Sequence, residues 1–97
     1  MIDWFDAKEA QKFGMELATF FTERIPPEAS PRKEKTPKKK QEVMNKMFQQ
    51  LERFKLQHKL NVYKKAKFGN AFQWALKDAG YDQEFINALT NELLLKL

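Results

Sequence analysis

The chain has no cysteine, which removes disulfides, thiolate catalysis and cysteine-based zinc sites together. It has one histidine, His58, whose neighbours three and four residues away are Phe54, Lys55, Asn61 and Val62. None of these is a carboxylate, so a His-based metal site has no helpers at helical spacing. The three glycines, Gly14, Gly69 and Gly80, are scattered, and they form neither a phosphate-cradling loop nor a dinucleotide fingerprint. There is no Ser-His-Asp arrangement, and Asp78, Asp82 and Glu84 surround a turn where capping and solvation explain them. These shortages point to a non-catalytic protein, with no catalytic residue, no metal and no cofactor expected.

Long apolar runs are also missing. Leu93-Leu94-Leu95 is the best the chain offers, far from the roughly 20 residues that span a bilayer. Residues Met1 to Asp6 are acidic and lack the basic start of a secretion signal. The first helix mixes Lys8, Glu9, Lys12 and Glu16 on its polar side, unlike the Lys/Arg-rich face of an interfacial helix. A soluble cytoplasmic protein with no membrane partner is the expectation.

What the chain does have is aromatic mass and segregated charge. Thirteen of its 97 residues are aromatic, nine of them Phe, and each buried ring removes roughly 150–250 Å² from water. The chain is long enough for a single domain with one core. Strict alternation of β-branched residues is absent, so a sheet is not expected. Thirteen of the eighteen bases fall between Arg32 and Lys67 against only Glu34, Glu42 and Glu52, so this stretch is strongly cationic. Both flanks carry a net negative charge. Such segregation implies an anionic partner or an internal match between a basic middle and acidic ends.

Helical spacing organises the rest. A first helix is expected to begin near Asp3 or Asp6, with Asp6 as N-cap and Glu9 three residues on. It carries Ala10, Phe13, Leu17, Phe20 and Phe21 inward and stops before Pro26-Pro27. Gly14 lies inside this stripe at a cost of roughly 1 kcal/mol against Ala, and close approach of another helix would explain it. Residues 25–37 read as a flexible basic and proline-rich linker. Thr36-Pro37 should open the second helix, whose first turn, Lys38-Lys39-Lys40, opposes the macrodipole and is expected to fray until an anion neutralises it.

From Met44 the apolar positions run through Met47, Phe48, Leu51, Phe54, His58, Val62 and Ala66 without Pro or Gly. Unbroken to Ala79, this would be a rod of roughly 65 Å. The heptad series turns polar at His58, Asn61 and Lys65, which places a break at Lys59-Leu60-Asn61, with Asn61 capping a new helix and Gly69-Asn70 as a second candidate. The third helix, Val62 to Ala79, should turn Ala66, Gly69, Phe72, Ala75, Leu76 and Ala79 inward. Gly80 with Tyr81 reads as a Schellman stop, and Asp82 as the cap of a fourth helix carrying Phe85, Ile86, Leu89, Leu93 and Leu97. The expected fold is all-α, three to four helices with a basic Pro-containing linker after the first and a C-terminal αα-hairpin.

The functional expectation rests on the basic middle. Lys38, Lys39, Lys40, Lys46, Arg53 and Lys64 are the candidate polyanion-binding residues, since Lys and Arg neutralise phosphates, and nucleic acid is the expected polyanion. A solvated helix face explains the same residues more blandly. Tyr63, Phe68 and Trp74 interleave with bases, but their spacing assigns them to the core before it assigns them to stacking on nucleotides. The alternative is a helical protein–protein adaptor or dimerisation module built on the Met44, Met47 and Phe48 stripe or on the leucine-rich C-terminus. Unequal helix lengths around a long rod favour a homodimer.

Overall fold

The computed structural model describes residues 7–27 and 36–97. It has four helices in chain order, α1 (Lys8–Arg24), α2 (Thr36–Gln57), α3 (Val62–Ala79) and α4 (Gln83–Leu95), and no strand among the described residues. The fold is all-α and ends in an αα-hairpin. Its extents are 48 × 23 × 19 Å.

Helix α1 buries Ala10, Gly14, Leu17, Ala18 and Phe21 and packs chiefly on α3. Gly14 makes that packing close. A Cβ placed there would stand 2.6 Å from the Phe68 carbonyl oxygen and 3.2 Å from Ala71 Cβ and Phe72 N, so only glycine lets the two backbones meet at this distance. The helix starts at Lys8 with Ala7 at the cap position and no side-chain cap bond, while Asp6, the expected cap, lies outside the described residues. At its other end the Ile25 N–H donates to the Phe21 carbonyl (2.8 Å) before Pro26.

The stretch read as a linker, 25–37, is described only at its two ends. Ile25 is buried, and its carbonyl accepts a hydrogen bond from the Tyr81 hydroxyl. The Pro27 ring lies near Gly80. Residues 28–35 lie outside the described residues, and Thr36 and Pro37 already belong to α2.

The long apolar pattern does break where it turns polar. Helix α2 ends at Gln57, and Asn61 caps α3 by accepting from the Lys64 N–H at 2.8 Å. Helix α3 runs unbroken through Gly69, the second candidate break. A Cβ at Gly69 would meet Leu94 and Thr90 side-chain atoms at 3.6–3.8 Å, ordinary contact distances on the side facing α4. The stop at Gly80 is of the Schellman kind. Gly80 has φ 108°, its N–H reaches the Lys77 carbonyl (3.1 Å), and the Tyr81 N–H reaches the Leu76 carbonyl (3.2 Å). Asp82 then caps α4 by accepting from the Phe85 N–H at 3.1 Å.

Two residues placed inward by spacing are not inward. Ala66 and Ala79 are exposed, and Phe68 is buried in their place. The reason is that α3 is gripped from two sides, by α1 and by α4, so its inward arc is centred nearer Phe72 and Leu76 than the alanines suggest. Ala79 also sits at the helix end, where the core has run out.

One buried cluster draws on all four helices: Leu17 and Phe21 from α1, Met44, Met47 and Leu51 from α2, Phe68, Phe72 and Leu76 from α3, and Ile86, Leu89 and Leu93 from α4. Each fully buried Leu or Phe contributes about 1.5–3 kcal/mol. Ring contacts tie the elements together. Phe13 of α1 stacks on Phe54 of α2 (4.3 Å between centroids) and on Phe68 of α3 (5.6 Å), and Phe21 meets Phe85 of α4 at 5.8 Å. Thr90 is buried, and its hydroxyl donates to the Ile86 carbonyl at 2.7 Å, so it is satisfied.

Helices α2 and α4 are joined by a reciprocal clasp. Lys55 Nζ donates to the Lys96 carbonyl (3.0 Å), where α4 lacks a basic residue of its own in its last turn, and Lys96 Nζ lies 4.9 Å from the Phe48 ring centre. No helix among the described residues is long and apolar enough to cross a membrane.

Candidate functional site

The six basic residues singled out by sequence divide into three groups. Lys39, Lys46 and Arg53 follow one another at intervals of seven, which at about 100° per residue keeps them within about 40° of one another on α2. All three are exposed, and no hydrogen bond or ion pair engages their side chains among the described residues. They form an edge about 21 Å long at 1.5 Å per residue. Gln50 and Gln57 share this edge. Lys38 is also exposed but lies about 100° round the helix from Lys39.

Lys40 and Lys64 are not on this edge. Lys40 precedes Met47 by seven residues and so faces the core side of α2, where its ammonium sits 5.6 Å from the Phe85 ring centre. This contact stands just before the buried Val43 and Met44, and α2 is helical through Lys38–Lys40. Lys64 is half-buried on α3, beyond the break, and its N–H is taken up by the Asn61 cap.

The internal alternative, in which the basic middle is paired with the acids of α1, finds no ion pair here. Among the described residues the ion pairs are Arg24–Glu23 and Lys55–Glu52, both within a single helix. Glu9 and Glu16 do face Arg53 across an open groove of about 280 Å³ between α1 and α2, floored by Phe13, Phe54 and His58. His58 is half-buried and stacks on Phe54 at 4.4 Å.

The apolar stripe of α2 is spent within the chain. Met44, Met47 and Leu51 are buried, and Phe48 and Phe54 pack against the same core. The adaptor reading therefore loses this stripe as a surface, while Leu95 of the leucine-rich C-terminus is exposed. The unbroken rod that would have required a second chain is absent, because α2 ends at Gln57.

Sequence spacing misplaced one residue of consequence. Trp74 is 69% exposed, where a core position was expected, whereas Phe68 is buried and Tyr63 half-buried. The signal was present: Trp74 stands two residues from both Phe72 and Leu76, about 200° from each on the wheel, opposite the inward side. Around it lies a second groove of about 420 Å³, lined by Asn70, Gln73, Lys77 and Gln83.

No group of three or more potential metal ligands is found among the described residues. No protein-family model matches the chain, and neither a curated protein nor a solved structure matches it.

Proposed function

We propose that this protein is a non-catalytic module that binds a polyanion, nucleic acid, through the basic edge of α2. The observation that carries the reading is the alignment of Lys39, Lys46 and Arg53 on one exposed edge with no ion-pair partner among the described residues. A solvated cation with no partner keeps its full capacity to displace a counterion from a phosphate. Lys38 adds a further exposed charge in the first turn of α2, which carries no acid to offset the macrodipole. An anion at that end would relieve the conflict. Lys40, Lys55 and Lys96 have roles inside the fold and are left out of the site.

The test is fluorescence anisotropy with mixed-sequence DNA and RNA across a salt series. Three phosphate contacts predict a log–log slope of about −2.7 on duplex DNA and about −2 on single strands. An absence of binding to either at about 50 mM salt, where electrostatic binding is strong, sinks the reading.

A further inference from the structure

The large apolar side chains exposed among the described residues are Met15, Leu56, Val62, Trp74 and Leu95. Single exposed aliphatic residues are ordinary and need no explanation. Trp74 differs because of what surrounds it. At about 100° per residue, Tyr63, Lys67, Asn70, Trp74 and Lys77 fall within an arc of about 80° on the outward side of α3. The Lys67 ammonium lies 5.5 Å from the Tyr63 ring centre. The groove beside the indole is walled by amides, and Asn87 Oδ1 fixes two of them by accepting from Gln73 Nε2 (3.3 Å) and Gln83 Nε2 (2.9 Å).

We propose that this side of α3, centred on Trp74, is a stacking surface for the unpaired bases of single-stranded nucleic acid. The inference rests on the nucleic-acid reading of α2 and narrows it to single strands. An indole face accepts any base, because every base has a π-face, and lysines interleaved with the rings meet the phosphates between bases. Charge decides between the two grooves. The α1–α2 groove brings Glu9 and Glu16 against the strand, whereas the Trp74 groove has Lys77 as its only charged lining residue. Helix α3 holds four lysines against a single acid, Asp78, which stands one turn beyond Trp74, about 40° from it on the wheel.

The chain has two tryptophans, Trp4 and Trp74, so Trp4→Phe leaves Trp74 as the sole indole reporter. An oligo-dT strand should quench its fluorescence, and a duplex of equal length should not, because duplex bases are already stacked. Trp74→Ala should weaken oligo-dT binding by about tenfold, one lost base stack, with the salt slope unchanged. Trp74→Phe should retain most of the affinity. Trp74 is outside the core, so circular dichroism should find Trp74→Ala folded. Binding of oligo-dT that neither quenches Trp74 nor weakens in Trp74→Ala overturns this proposal and leaves the α2 reading standing. Failure of both strand and duplex to bind overturns the two together. A mass that falls from dimer to monomer in Trp74→Ala overturns it in favour of a second copy of the chain.

Discussion

The α3–α4 hairpin and helix α2 are built on opposite terms. In the hairpin three of the four helix boundaries are each set by one residue with a specific job: Asn61 caps α3, Gly80 ends it, Asp82 caps α4. Its charges are sparse towards the core, and Phe72, Leu76, Ile86, Leu89 and Leu93 are almost fully buried. Helix α2 is longer and far more polar, opens on lysines that oppose its dipole, and is held by Met44, Met47, Leu51 and the Lys55–Lys96 clasp. The hairpin can lose little without loss of stability. No hydrogen bond or ion pair among the described residues engages the side chains of Lys39, Lys46 and Arg53, so the edge of α2 should lose its charge at little cost in stability.

The largest expected effect tests the hairpin core. Leu89 is 1% exposed, and Leu89→Ala should cost about 2–5 kcal/mol by urea denaturation, the usual range for a buried leucine. A loss below about 1 kcal/mol would mean the hairpin is not the rigid half.

A smaller effect distinguishes two glycines in helix interiors. Gly14→Ala should destabilise, because overpacking costs about 1–3 kcal/mol and the atom met at 2.6 Å is a backbone oxygen that cannot swing aside. Gly69→Ala meets only side-chain carbons at 3.6 Å and beyond, so the better helix propensity of Ala should stabilise it by up to about 1 kcal/mol. Thermal melts showing both variants shifted in the same direction would contradict the placement of the α1–α3 crossing.

The smallest structural effect concerns a cap. Asp82→Ala should cost about 0.5–2 kcal/mol, the usual value of an N-cap side chain. A matching change of an exposed α2 residue, such as Lys46→Ala, should stay within about 0.5 kcal/mol. Equal losses in the two variants would erase the contrast between the helices.

Much of this contrast could be read from the sequence, for a physical reason. Caps, the Gly80 stop and the break before Asn61 depend on one residue and its immediate neighbours, so Asn61, Gly80 and Asp82 announced themselves. Gly14 was legible because a glycine inside an apolar stripe has few other uses. What escaped depends on which neighbour packs where. Lys40 looked like its neighbours Lys38 and Lys39, yet it lies on the core side of α2 and rests on Phe85 of another helix. Ala66 and Ala79 fit an inward stripe by spacing, but alanine is small enough to fit either side, and two flanking helices fix the phase of α3. Trp74 was assigned to the core by helical spacing together with Tyr63 and Phe68, although its phase against Phe72 and Leu76 placed it outside.

The central claim is that the α2 edge serves binding and not stability. Its most direct test is the triple variant Lys39→Gln, Lys46→Gln, Arg53→Gln, measured for both stability and nucleic-acid affinity across a salt series. The account predicts a melting transition unchanged or slightly raised, since one cation opposing the macrodipole is removed, together with a salt slope shallower by about 2 to 3 than that of the wild type. A variant that melts lower while the salt slope stays at the wild-type value would contradict it, and would place these charges in the service of the fold.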